Sequence, residues 1–417
     1  MALRAEIIAV GSELLTPLRS DTNALVLTAR LREIGIEVVA RTTVADDAAL
    51  LEGAFRNAIA RTDLVIATGG LGPTEDDLTR EALAAAVGRP LQRDPALMSE
   101  LEQRFERFKR AMAEVNRKQA DLIQGAVPLR NPRGSAPGQR LEAGGTLVVL
   151  LPGPPSEMLP MFEEQIAPLL AAKVAGRALR TRILKIASMS ESDVEQAVAP
   201  IYKTYTNPRT TILGAPGQVE LHLTADGDTA AQAEERIESL ASGIRAALPG
   251  RVYGEDGREL HEVVAALLVE RGLTLALAES CTGGALSARL TEVPGSSRFL
   301  LRAYVPYANT AKVDMLGVDP ALLERVGAVS EEVAAAMASA ARARSKADVG
   351  VAITGIAGPG GGTEEKPVGL VFIAVDGAAG SRVRRCFFPG ERPRVRTQAT
   401  QAALEMVRRG ILGLAAL

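Results

Sequence analysis

The 417-residue chain carries 48 basic and 50 acidic side chains, for a formal net charge of −2, and 47% of its residues are hydrophobic. That balance excludes a general basic surface, so strong nucleic-acid binding is not expected, and two cysteines exclude a disulfide scaffold and a CxxC-type metal site. At about 150 residues per domain the length predicts two or three domains.

No apolar run reaches the length of a membrane span, and a strand-like run at residues 5–10 starts without a basic leader, so a cytoplasmic protein with no membrane partner is expected. Strand-like runs at 6–10, 37–40 and 64–68 are each followed by a helical run, at 23–34, 50–60 and 78–86. This βαβαβα order predicts a parallel sheet with helices on its faces. Residues 95–124 read as a long charged helical excursion and 128–145, rich in Gly and Pro, as loop. A strand at 146–151 then returns to the core and ends in Leu151-Pro152-Gly153-Pro154-Pro155-Ser156-Glu157-Met158, where Pro and Ser suit a helix start.

Residues 176–250 read as a smaller α+β unit, with strands at 182–187, 210–213 and 219–225 and helices at 191–202 and 230–248. Its Gly214-Ala215-Pro216-Gly217 has the GxxG spacing of RNA-binding KH loops but lies between two strands, where a hairpin turn explains it better. The last third resumes α/β alternation: helices at 260–270, 331–345 and 394–407, strands at 273–278, 299–305, 349–353 and 370–375. The expected fold class is α/β, two parallel-sheet α/β domains at 1–172 and 255–417 joined by a small KH-like α+β domain at 173–254.

In the last third, Ala278-Glu279-Ser280-Cys281-Thr282-Gly283-Gly284 joins an apolar strand to a helical run. A strand-to-helix elbow exposes the Ser280 hydroxyl beside unpaired N–H groups that would stabilise an oxyanion or a phosphate, although a Ser can also simply cap a helix. Cys281 is the rival nucleophile. A serine nucleophile needs a base; His222 falls in a strand-like run and His261 precedes the elbow by nearly twenty residues, so a Ser-His-Asp triad is disfavoured. A lysine serves if burial lowers its pKa. Of Lys312, Lys346 and Lys366, the first is best placed, entering a helix after a strand with Tyr307 and Asn309 nearby. The run Thr354-Gly355-Ile356-Ala357-Gly358-Pro359-Gly360-Gly361-Gly362 follows a strand, so its backbone can approach an anion, but it lacks the Gly-Lys-Ser/Thr of a P-loop. Arg394 and Arg396 open the closing helix and can pair with a phosphate.

In this order AESCTGG, YxNxxK and TGIAGPGGG resemble the C-terminal domain of the CinA (competence/damage-inducible) family, whose stand-alone PncC-like relatives are nicotinamide mononucleotide amidohydrolases. The resemblance implies hydrolysis of nicotinamide mononucleotide to nicotinate mononucleotide and ammonia, with no cofactor. It makes Ser280 the nucleophile, Lys312 the proton carrier and Tyr307 and Thr354 further polar groups. Cys281, Thr282, Gly283, Gly284, Asn309, Gly355, Gly358, Gly360, Arg394 and Arg396 would surround the substrate. One departure, Arg302-Ala303-Tyr304-Val305-Pro306 before Tyr307, bears on the pocket wall.

Near the N-terminus, Gly11-Ser12-Glu13 follows the first strand, Asn23 begins a helix, and Gly69-Gly70-Leu71-Gly72-Pro73-Thr74-Glu75-Asp76-Asp77 follows the third strand. Loops at one end of a parallel sheet converge on one ligand, and Asp76, Asp77 and Glu13 suit a hard divalent cation. With Gly153 and its Pro-rich loop, these residues resemble the MoaB/MogA-like molybdopterin-binding domain of CinA proteins. That likeness implies ADP-ribose pyrophosphatase activity with Mg²⁺ or a similar ion and K⁺, and a homodimer. The alternatives are a pterin-binding protein of cofactor biosynthesis and a non-catalytic competence or DNA-repair partner. Thr16-Pro17 stands where the family commonly has Gly, so the first loop is expected to differ in shape.

Overall fold

Strands Arg4–Val10, Glu37–Val44, Leu64–Thr68 and Thr146–Leu151 run parallel, with Arg4–Val10 and Leu64–Thr68 central. Alternate residues face two cores in this computed structural model. Ile7, Ile66 and Val149 pack with Leu27, Leu31 and Phe162, whereas Ile8, Val65 and Val148 pack with Leu51, Phe55 and Leu83. Burial on both faces is why the strands read as unbroken apolar runs. Ala9 is in register with Thr68 and Thr68 with Leu151, so the turns after all three strands open at the same end of the sheet.

The structure describes residues 3–107, 109, 111–176, 178–378 and 380–415. Their contacts divide them into one unit of Met1–Arg180 with Ala225–Glu235 and another of Thr181–Thr224 with Arg236–Leu417. In the first, two segments differ from the sequence reading. Residues 95–124 hold a helix only at Pro95–Arg107, followed by a 3-10 helix at Glu114–Ala120 and a strand at Asp121–Ile123 paired with Leu91–Arg93. Lys118 donates to the carbonyls of Thr74 and Asp77, a tertiary contact that overrides helical preference there. Residues 128–145 are not loop: Val127–Leu129 and Gly138–Ala143 extend the sheet antiparallel, and Gly144 and Gly145 turn the chain with φ of 58° and 89°.

In the second unit, Leu300–Tyr304, Leu275–Glu279 and Val349–Gly355 are parallel, and Leu370–Gly377 and Gly380–Phe387 continue the sheet antiparallel. Both α/β sheets therefore have a parallel centre and an antiparallel margin. Leu275, Leu277, Val351 and Ile353 face Val264, Leu268 and Leu404. The other face is small, with Ala276, Ala278, Ala352 and Ala374 against the helix Glu331–Ser345. There the helix approaches so closely that a Cβ on Gly350 would stand 2.2 Å from Ala338 O. Gly380–Phe387 escapes the sequence reading because its Arg382, Arg384 and Arg385 hide the strand pattern, as charges on an edge strand do.

A four-stranded sheet, ordered Arg209–Ala215, Gln218–Gly227, Ala178–Ala187, Val252–Gly254, accompanies the helices Glu191–Tyr202 and Ala230–Ala247. Residues 214–217 are the turn of its hairpin, with Ala215 opposite Gln218. Ala187 and Tyr253 share a core with Leu260 and Ala399. No helix among the described residues is long and apolar enough to cross a membrane.

Candidate active sites

Strand Leu275–Glu279 delivers Ser280 to the end of the sheet, where its N–H donates to Ile353 O at 2.9 Å. Lys312, only 2% exposed, lies on the helix Asn309–Leu316 and holds its Nζ 3.3 Å from Ser280 Oγ. Nζ also donates to Pro306 O at 3.0 Å and Tyr307 O at 3.3 Å. Burial lowers the Lys312 pKa from its ordinary value, because an ammonium loses more hydration than an amine. A neutral amine that spends two N–H bonds on carbonyls turns its lone pair to the remaining neighbour, the Ser280 hydroxyl. The other lysines of this domain are engaged elsewhere: Lys366 donates to Val326 O, and Lys346 ends the helix Glu331–Ser345. His261 contacts Arg289 and Glu292, and His222 contacts Glu220, leaving no histidine on Ser280 among the described residues.

Glu279, fully buried, accepts Leu286 N at 2.9 Å and Ser287 N at 2.8 Å. The first-turn donors of the helix Ala285–Thr291 are therefore met by a protein carboxylate, and the N–H groups of the elbow that meet no acceptor among the described residues are those of Cys281, Thr282 and Gly284. Gly283 and Gly284, with φ of 58° and 89°, shape that turn. Thr282 Oγ1 is buried without a partner. Arg396 donates to Thr282 O at 3.0 and 2.7 Å. Thr354, next in the neighbouring strand, turns its hydroxyl to Ala328 O at 2.8 Å, which fixes the loop at residues 327–330. Tyr307 contributes its carbonyl to Lys312, while its half-exposed ring has its hydroxyl bonded to Arg392. Arg392 also donates to Gly358 O at 3.0 Å, tying the glycine loop to the site. Gly355 is packed against Leu370 O, Gly360 faces open space, and Asn309 is exposed on the first turn of its helix. Arg394 does not join Arg396; it lines a different cleft. In the segment before Tyr307, Arg302 bonds Tyr304 and Arg344 O, so this wall is held by polar contacts.

In the first unit, Gly11, Glu13, Gly69, Gly70, Gly72, Gly153, Asp76 and Asp77 line one cleft of about 390 Å³. Ser12, Asn23 and Thr74 build its walls. Ser12 and Asp46 exchange hydrogen bonds at 2.7 and 3.1 Å, and Asn23 Nδ2 donates to Gly153 O at 2.7 Å. Asp77 Oδ2 accepts from Thr74 N at 2.9 Å and Thr74 Oγ1 at 2.6 Å. Gly69, at φ 102°, passes so close to the first strand that a Cβ would stand 2.3 Å from Val10 O. Thr16 closes the turn Ser12–Leu15 by donating to Glu13 O at 2.7 Å. Glu13, Asp46, Asp76, Asp77 and Glu157 make the cleft acidic, yet among the described residues no three His, Cys, Asp or Glu side chains cluster tightly enough to hold a metal by themselves.

The model of the CinA C-terminal domain matches residues 257–411, that of a probable molybdopterin binding domain residues 6–172, and that of the damage-inducible protein CinA KH domain residues 181–254. A CinA-like protein of Solibacter usitatus is 48% identical over 409 residues, 98% of either chain. The chain belongs to the CinA family. A putative competence-damage inducible protein of Symbiobacterium thermophilum is 46% identical over 421 residues, 98% of this chain and 99% of that protein. The crystal structure of a competence/damage inducible protein from Agrobacterium tumefaciens is 41% identical and covers 39% of this chain and 98% of its own, with a TM-score of 0.36.

Three residues of this CinA chain that sequence reasoning misses shape the sites. Arg80 is fully buried and donates to Leu71 O at 2.8 Å and Gly72 O at 3.0 Å, bracing the glycine loop from beneath. Glu279 and Arg392 act similarly in the C-terminal domain. Replacing Glu279 by Gln turns one acceptor into a donor facing a helix N–H, and denaturant unfolding should show a loss of about 2 kcal/mol. Cys281 is a poor nucleophile: burial pushes its thiol up to about 12, leaving almost no thiolate at neutral pH. Cys281→Ala should therefore keep turnover within about fivefold of wild type in a steady-state assay, where removing the true nucleophile costs orders of magnitude.

Proposed function

We propose that the C-terminal site hydrolyses the carboxamide of nicotinamide mononucleotide to nicotinate mononucleotide and ammonia. The observation that carries this reading is the buried Lys312 Nζ beside Ser280 Oγ, with both remaining amine hydrogens held by Pro306 and Tyr307 carbonyls. Ser280 Oγ attacks the carboxamide carbon as its proton passes to Lys312. Thr282 and Gly284 N–H groups receive the negative charge on the carbonyl oxygen, donors of a kind typically worth about 3 kcal/mol each in the transition state. Lys312 then protonates the departing nitrogen, the C–N bond breaks, ammonia leaves and an ester remains on Ser280. Water attacks the ester while Lys312 takes its proton; collapse frees the carboxylate and returns the proton to Ser280 Oγ. Amide specificity comes from the family likeness, and the half-exposed Tyr307 ring suits a flat cationic pyridinium.

The pH dependence has a definite sign. The base form of Lys312 is the active one, so kcat/KM should rise with pH through an ionisation below the ordinary lysine value of 10.5. A rate profile measured on wild type should lose that limb in Lys312→Met.

For the N-terminal cleft the reading is ADP-ribose cleavage to AMP and ribose 5-phosphate. A diphosphate entering a cleft lined by five carboxylates needs a cation between them. Mg²⁺ commonly uses one or two protein carboxylates and shares the rest of its shell with phosphate and water, a donor set that Asp76 and Asp77 fit. A larger cleft of about 840 Å³ adjoins at Gln119 and Ser135 and brings Arg104, Arg107 and Arg130, room for the second half of a two-ended ligand. Asp77→Ala breaks the Thr74 cap as well as removing a carboxylate, so product chromatography should show ADP-ribose cleavage lowered at least about a hundredfold. Pterin binding without any ADP-ribose cleavage would replace this reading.

A further inference from the structure

A separate cleft of about 920 Å³ in the second unit lies between the hairpin turn at residues 214–217 and the start of the helix Arg392–Leu412. Arg251, Arg384 and Arg394 line it, and none of them forms an ion pair among the described residues. Arg384 Nη1 is shut off from solvent and meets no acceptor; Gln398 Oε1, in the same cleft, is shut off and meets no donor. The contact of Arg251 is a long one, from Nη1 to Ser188 O at 3.5 Å. Burial lowers its pKa first, and Arg409 and Arg384 add repulsion that Glu405 offsets. Glu191 and Asp193 also line the cleft but pair with none of the three arginines. Three guanidinium groups that the carboxylates of the cleft leave unpaired, one with a buried N–H unmet, suit a ligand with several anionic oxygens. The volume suits a molecule up to nucleotide size.

The arrangement disfavours a nucleic-acid strand. The 214–217 turn is pressed onto the helix, where a Cβ on Gly217 would come within 2.8 Å of Gln401 Cβ, so it offers no open groove. At 100° per residue, Arg394, Thr397 and Gln398 lie on the face of the helix opposite Arg392 and Arg396. We propose that this cleft binds a compact phosphorylated molecule through Arg251, Arg384 and Arg394, apart from both reaction sites.

Calorimetric titration of the full-length protein tests it, with inorganic pyrophosphate and, separately, ADP as probes, in EDTA to suppress metal-dependent binding elsewhere. Wild type should bind, hydrogen exchange should slow at residues 188–193 and 214–219, and Arg384→Gln and Arg394→Glu should each weaken binding at least about tenfold while Ser280→Ala and Asp77→Ala do not. Tighter binding of ADP than of pyrophosphate assigns an esterified ligand, and equal binding a bare polyanion. Arg394 is exposed, so folding of its variant is not at risk; a matching melting curve for Arg384→Gln checks the other. Absence of binding to wild type, or undiminished binding in both arginine variants, would overturn the site.

Discussion

Ser280→Ala is expected to lower ammonia release from nicotinamide mononucleotide by at least about 10³-fold, and Lys312→Met by a comparable factor, because each removes one half of a single proton-transfer unit. Groups that act together are not additive, so the double variant should be no slower than the worse single one. Neither change should unfold the protein: Ser280 loses one hydroxyl, and methionine fills the volume of the lysine stem. Lys312→Met does leave Pro306 O and Tyr307 O without their donor, so melting curves belong beside the rates. A Lys312→Met enzyme with near-normal turnover would mean that another group takes the Ser280 proton.

Gly69→Ala carries the second large effect. Its backbone at φ 102° is strained for any side chain, and the added Cβ would meet Val10 O at 2.3 Å, well inside any real contact. The glycine loop must shift away from the first strand, at a cost of at least about 2 kcal/mol. Loop and strand are two walls of one cleft, so ADP-ribose cleavage should fall at least about a hundredfold. Ammonia release, which we assign to the other unit, should stay within about twofold on the same preparation. Loss of both activities in folded protein would contradict separate sites.

The Ser280 elbow is legible in the sequence because an apolar run, a Ser and a Gly-Gly pair fall within one window. Lys312 is legible by elimination, since few lysines follow residue 251 and only one enters a helix from a strand. Glu279 is not: a carboxylate ending an apolar strand reads as the start of a loop, and only the fold brings Leu286 and Ser287 N–H groups onto it. Arg80 carries no signal either, since only the fold turns the carbonyls of Leu71 and Gly72 onto a donor from its helix. Gly144-Gly145 between strands is a hairpin signal that the Gly and Pro content around it obscures. Arg394 and Arg396 look like a pair in sequence, but two residues along a helix is a turn of about 200°, so Arg394 lines a cleft while Arg396 bonds Thr282 O.

The proposed amidase step is covalent at Ser280 and driven by Lys312. Mixing enzyme with excess nicotinamide mononucleotide, quenching in acid during the first turnover and mapping the peptides by mass spectrometry tests it directly. An ester of nicotinate mononucleotide is expected on the peptide carrying Ser280, absent in Ser280→Ala. Ammonia released with no adduct at Ser280, or an adduct on Cys281 instead, would contradict it.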